Sequence, residues 1–235
     1  MTPEELRKQV HTLFHKYKYE NNDDGHLDIP IRDTKGNIVG HMSPCQAKEV
    51  MDTSKLIPLF AQWRNENNYA FASQPKATPE GTSKWYDNYL INLDDRILFI
   101  IKTIDGEPIG HMGLWTFDYE KKTCEIDNLI KGKKNPLPGL IMFFAAKALM
   151  EWTYANIGVE SLGGRMLKDN RAAITFWERL GFTVIGEIPL AKIQDPNVTG
   201  WEELNPGDTR KPDRYEVVTT DRKDIYEKNI AKQKQ

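Results

Sequence analysis

Apolar positions along this chain change period block by block. From Pro3 to about residue 20, Leu6, Val10 and Leu13-Phe14 recur at helical spacing, and Asn21-Asn22-Asp23-Asp24-Gly25 ends the run. Leu27–Arg32 and Ile38–Met42 then read as strands joined by the turn Asp33-Thr34-Lys35-Gly36-Asn37, a hairpin. A second helix is expected from Asp52 or Thr53 to about Asn65, with Leu56, Leu59, Phe60 and Trp63 on one face. Asn65–Gln74 is a polar loop, after which Thr78-Pro79 opens a third helix with threonine as N-cap and proline at the first helical position. Arg96–Ile104, Ile109–Tyr119 and Thr123–Ile130, separated by short polar turns, predict a three-stranded antiparallel meander.

Pro138 and Gly139 begin a segment reaching about Asn156 that is apolar on nearly all sides, which predicts the most buried helix. Val159–Met166 reads as a strand. In Leu167–Phe182, Ala172, Ala173, Phe176, Trp177 and Leu180 form one helical face, with Asp169 or Asn170 to cap its start and Gly181 to end it. Phe182–Ile188 and Arg214–Thr220 complete the strands, separated by a long polar connection from Pro189 to Pro212 that carries Trp201. Residues 221–235 read as a charged tail. Gly36–Met42 is echoed by Gly106–Met112, each opening a strand after a turn; the likeness stops at the methionine, which suggests shared hairpin geometry and not a repeat.

The composition adds limits. At 235 residues, 39% hydrophobic, with a formal net charge of -2, the chain has ample apolar material for a core and no basic excess for nucleic acid or an anionic membrane. No 18-residue apolar run is present, and the charged, helix-like start does not read as a signal peptide. Cys45 and Cys124 make no disulfide framework and suggest a reducing, cytoplasmic setting. The five histidines are scattered without ligand spacing, so no metal is expected.

The order Asn170-x-x-Ala173-Ile174-x-Phe176-Trp177-Glu178-x-x-Gly181-Phe182 resembles the signature of the GCN5-related N-acetyltransferase (GNAT) family, with Trp177 where the family carries tyrosine. The resemblance implies an α/β (α+β) fold, with a mixed, mostly antiparallel sheet flanked by helices. It spans residues 43–220, with a helix and hairpin at 1–42 as an N-terminal extension. It also implies acetyl-CoA, or another acyl-CoA, as cofactor and a small-molecule amine as partner, and is compatible with a homodimer.

The chemistry would sit on Thr123–Ile130. Strict alternation puts Glu125, Asp127 and Leu129 on one face, and two acids on one face of a central strand are unusual if that face is only packed. Acyl transfer to a largely protonated amine needs a base, which a partly desolvated carboxylate can supply. The resemblance assigns that role to Asp127 first and Glu125 second; a salt bridge is the structural alternative. It would have the Leu129 N–H polarise the thioester carbonyl. Trp177 cannot protonate the departing thiolate as tyrosine would; His111 is a substitute donor or a structural histidine. For the cofactor, the resemblance points to Leu129, Ile130, Lys131, Gly132, Lys133, Lys134, Asn135, Gly139 and Leu140 around a helix N-terminus, where free N–H groups and the helix dipole suit an anion. The family's glycine-rich phosphate pattern is missing there. Asn170, Phe176 and Trp177 would line the pantetheine arm, Asn170 serving equally as N-cap. Trp63, Arg64, Asn68, Tyr69, Phe71, Trp115 and Trp201 would face the acceptor, or simply pack. The expected activity is N-acyl transfer to a small primary amine, foremost the amino group of a nucleotide-linked sugar. Alternatives are a peptide α-amine acceptor or a silent CoA-binding module.

Overall fold

A computed structural model describes residues 1–132, 140–195 and 199–227. Nine strands form one sheet in the order β1-β2-β3-β4-β5-β6-β9-β7-β8. They are β1 (Ile29–Arg32), β2 (Ile38–Pro44), β3 (Ile97–Thr103), β4 (Pro108–Asp118), β5 (Thr123–Lys131), β6 (Ser161–Leu167), β7 (Thr183–Lys192), β8 (Trp201–Glu203) and β9 (Arg214–Arg222). Every pairing is antiparallel except β5 with β6, which is parallel because the crossover helix α4 (Ile141–Asn156) joins them. The described residues also form the helices α1 (Pro3–Tyr19), α2 (Leu56–Glu66), α3 (Pro79–Trp85) and α5 (Arg171–Leu180).

Two cores lie on opposite sides of the sheet. One holds α1, α4 and α5 residues such as Leu6, Phe14, Leu149 and Trp177 over Ile97, Phe99 and Ile126. The other holds Phe60, Trp63, Tyr86 and Leu90 over Leu98, Ile100 and Ile130. Alternating side chains of β3 serve both, which is why that strand is continuously apolar.

Residues 1–42, read from sequence as an extension, are built into this architecture. β2 pairs residue by residue with β3, and Leu6, Val10 and Phe14 share the α4 core. The echoed segments are the two strands flanking β3, each entered through a glycine in the left-handed region, Gly36 (φ 84) and Gly106 (φ 81). Helix α2 starts at Leu56 without a side-chain cap, because Asp52 and Thr53 belong to a preceding turn: the Asp52 carboxylate accepts from the Ser54 N–H, and the Thr53 carbonyl from Leu56 and Ile57. Helix α3, capped by Thr78 as expected, widens into a π-helical turn at Tyr86–Ile91. The long polar connection also has more order than its composition suggested: β7 runs on to Lys192 and β8 folds back on it. Residues 223–227 of the charged tail are helical. Among the described residues, no helix is long and apolar enough to cross a membrane.

Candidate active site

The site begins where β5 and β6 part. They pair only at Thr123–Glu125 with Ser161–Gly163; from Ile126 on, β5 has no partner on that side among the described residues, while β6 continues beside β9. A register slip between β4 and β5 at His111/Gly113 lies opposite, with Asn128 at φ 49. Asparagine enters the left-handed region more readily than most residues. The slip breaks the strict alternation expected from sequence: Leu129 leans toward the α4 core, while Ile130 joins the α2 core beside His111.

His111 holds this slip. Its Nδ1 is 2.7 Å from the Asn128 carbonyl, and since a carbonyl only accepts, Nδ1 carries the proton. The ring lies under Phe60 and Trp63, with centroids 4.6 and 6.0 Å away. Burial pushes its pKa down to about 4, so the imidazole is neutral at pH 7, with its one N–H committed. This geometry makes His111 a brace and not the substitute acid.

Asp127 and Glu125 share a face with Trp115, as alternation predicts, and both are ion-paired. Asp127 Oδ2 accepts from Arg96 Nε (2.9 Å), Arg96 Nη2 (2.5 Å) and Asn128 Nδ2 (2.8 Å). Among the described residues, no hydrogen bond reaches Oδ1. Arg96 was not singled out by sequence. It is buried, its guanidinium lies 4.0 Å from the Trp115 ring centroid and 5.3 Å from that of Trp85, and Nη1 donates to the Tyr89 carbonyl in the π-helical turn. The only signal would have been an arginine opening an otherwise apolar strand. Glu125 pairs with Arg165, which also holds Glu203. Glu216, next to this group, has its pKa raised by burial and by Glu203 and Glu125, against the opposing pull of Arg165.

Of the expected acceptor-side residues, Trp63, Arg64, Asn68, Tyr69 and Phe71 lie at or just after the C-terminal end of α2, while Trp115 is on β4 and Trp201 on β8. Trp63 is fully buried against Gly132. Arg64 stacks on Phe71, 3.6 Å from the ring centroid, and donates to the Ser73 carbonyl. Asn68 Nδ2 donates to the Gln74 and Pro75 carbonyls, while its buried Oδ1 has no partner among the described residues; Tyr69 is exposed. Two backbone bonds, Gln74 N–H to Thr199 and Trp201 N–H to Ala72, tie this loop to the start of β8. Trp201 itself lies under Arg214, 4.4 Å from ring centroid to guanidinium.

On the cofactor side, α4 starts after Leu140 with no side-chain cap on its first N–H groups among the described residues, an end suited to an anion. Lys133, Lys134, Asn135 and Gly139 lie outside the described residues. Lys131 ends β5, exposed, with its carbonyl accepting from Asn67 Nδ2. Gly132 is not placed as a phosphate-cradling glycine: its N–H donates to the Ile109 carbonyl, and the space where a Cβ would stand is filled by the Trp63 indole. Asn170 is the N-cap of α5, accepting from the Ala173 N–H. Phe176 meets Phe143 of α4 edge-on. Trp177 is core: it packs on Gly164 and, edge-on at 4.5 Å, on Phe182. The unpartnered β5 edge and the uncapped α4 start fit an extended amide-bearing arm ending in a pyrophosphate. Among the described residues no cluster could hold a metal ion.

The model of the acetyltransferase (GNAT) domain matches residues 51–183, more than half of the chain, so this protein belongs to that family and is an acetyltransferase, with acetyl-CoA as cofactor. Solved structures agree on the fold. A probable GNAT acetyltransferase from Chromobacterium violaceum matches with a TM-score of 0.60 at 14% identity, covering 85% of this chain and 93% of its own. Spermidine N-acetyltransferase from Vibrio cholerae, solved with CoA and spermine, gives 0.58 at 12%, over 74% and 93%. FdhC, a nucleotide-linked sugar GNAT, gives 0.55 at 17%, over 76% and 87%. No curated protein matches in sequence.

Proposed function

We propose that the protein acetylates the primary amine of a small molecule, foremost the amino group of a nucleotide-linked sugar, with Asp127 as general base, in the cytoplasm. The observation that carries this is Asp127: one oxygen is fixed by Arg96 and Asn128, and the other has no partner among the described residues, on the face shared with Trp115. Oδ1 takes a proton from the attacking nitrogen, directly or through one water. Trp115 and the Phe71 loop, backed by the buried Trp63, give the aromatic surface a sugar or base would need. The free backbone groups of β5 beyond Ile126 hold the pantetheine arm and polarise the acyl carbonyl, and the start of α4 takes the pyrophosphate. Acetyl-CoA supplies an activated acetyl group on a thiol of pKa about 8.5, so the carbon–sulfur bond can break without an acid at the Trp177 position.

A second acceptor class has its own support. Glu125, Glu203 and Glu216 share one arginine, Arg165, and an acid-rich patch of this kind suits a polyamine. Release of free thiol from acetyl-CoA, followed across nucleotide-linked amino sugars, spermidine and an N-terminal peptide, separates these readings. Asp127→Asn is expected to lower kcat by roughly 10²–10⁴-fold on the true acceptor. Full activity in that variant would remove Asp127 from the mechanism, and no turnover on any amine would sink the acceptor reading.

A further inference from the structure

Four arginines lie on the acceptor side, and three have carboxylates: Arg96 has Asp127, Arg165 has Glu125 and Glu203, and Arg214 has Asp169. Arg64 has none. Among the described residues no carboxylate forms an ion pair with it, and the segments 133–139, 196–198 and 228–235 contain no Asp or Glu side chain that could. Among the described residues its single protein acceptor is the Ser73 carbonyl, so four of its five N–H donors have no acceptor there. The central carbon of the guanidinium sits over the Phe71 ring, 3.6 Å from the centroid, a cation–π contact that holds the group without using its N–H donors.

The site around it is built. Ser73 and Phe71 belong to the loop pinned to Thr199 and Trp201 by backbone bonds, so the guanidinium rests on an anchored platform. Asn68, at the root of the same loop, keeps a buried amide oxygen that has no partner among the described residues. Burial lowers the pKa of Arg64 to about 10 and the charge of Asp127 raises it, so Arg64 stays cationic at neutral pH and lies within electrostatic range of the expected base. His111, which also feels Arg64, is neutral and offers no compensation. A partly desolvated guanidinium with no carboxylate in ion-pair contact among the described residues, beside the residues that would meet the amine, is the arrangement that an anionic ligand completes.

We infer that Arg64, on its Phe71 platform, is a subsite for a phosphate-type oxyanion carried by the acceptor, so that the preferred amine belongs to a phosphorylated or nucleotide-linked molecule. This rests on the reading of the α2–Trp115 face as the acceptor side. A phosphate of CoA is the other source of the same chemistry, and the test separates the two.

Inorganic pyrophosphate and a nucleoside diphosphate are titrated by calorimetry into protein saturated with CoA, using wild type, Arg64→Gln and Arg64→Lys, with melting temperatures recorded for all three. The expected result is saturable binding with CoA already present, weakened roughly 10- to 100-fold in R64Q and less in R64K, because a lysine keeps the charge but loses the fork. In turnover, the ratio of kcat/KM for a phosphorylated amino sugar over its unphosphorylated parent is expected to fall by a similar factor in R64Q. Equal binding by folded wild type and R64Q, or binding abolished by CoA, would overturn the subsite. The titration needs no turnover, so failure of the acceptor reading, seen as no acetyl transfer to any amine, stays distinguishable from failure of the anion subsite.

Discussion

Gly132 separates two roles that a glycine after this strand could have. If its N–H cradled a phosphate, replacement by alanine would weaken CoA binding and leave stability nearly untouched. The structure gives it another task. A Cβ at residue 132 would sit 1.9 Å from Cε2, 2.1 Å from Cδ2 and 2.3 Å from Nε1 of Trp63, against an ordinary contact of about 3.4–4 Å. The indole has nowhere to go: it is 1% exposed, between Phe60 and His111. Nor can the glycine back away freely, since its N–H is bonded to Ile109. Gly132→Ala is therefore an overpacking change at or above the top of the usual range, about 3 kcal/mol. For a chain of this size that is a drop of roughly 6–12 °C in melting temperature. Gly36→Ala is the control: φ is 84 but nothing lies within 4 Å, so only the left-handed backbone cost of about 1 kcal/mol applies, or roughly 2–4 °C. Calorimetry on both variants reads the difference. Because Trp63 roofs His111, the KM for the acceptor should rise more than that for acetyl-CoA in G132A. A melting temperature within a degree of wild type, together with weakened CoA binding, would refute the packing argument and restore the phosphate role.

Two further outcomes follow from the same geometry. His111 has a folded-state pKa of about 4 against 6.5 when exposed, so the unfolded chain binds more protons between those values and stability falls as pH drops from 6.5 toward 4, by on the order of 3 kcal/mol. Asp221, raised to about 6 by burial, works in the opposite sense, contributing stability at low pH that is lost as pH rises from about 4 to 6. The His111 contribution is therefore read as the difference in denaturation midpoint between wild type and His111→Gln across this window, and parallel curves would rule it out. Asn170→Ala removes the N-cap of α5 and should cost about 1 kcal/mol, a fall of roughly 2–4 °C by calorimetry, and an unshifted midpoint would contradict the capping role.

Much of the fold was legible because it is written in local periods. The apolar stripe of α1, the Thr78-Pro79 start of α3, the Asn170 and Gly181 bounds of α5 and the three-strand meander depend on residues a few positions apart, where backbone geometry links sequence to shape. Alternation also brought Glu125 and Asp127 to one face. It then failed at Asn128, because a left-handed residue opposite a register slip shifts every later side chain, and nothing in a single sequence marks which asparagine will take that conformation. What each acid meets was decided by the tertiary structure alone. Arg96 reaches Asp127 across 31 positions and Arg165 reaches Glu125 across 40, and each pairing depends on which strands lie side by side. The same holds for Gly132 against Trp63, for Arg64 without an ion-paired carboxylate among the described residues, and for the loop at Phe71 pinned to the start of β8. Sequence determined the kinds of element and the family they resemble, since these are short-range properties. Which strands splay and which charges are paired were settled by long-range packing, because only the folded sheet brings those groups within a few ångströms.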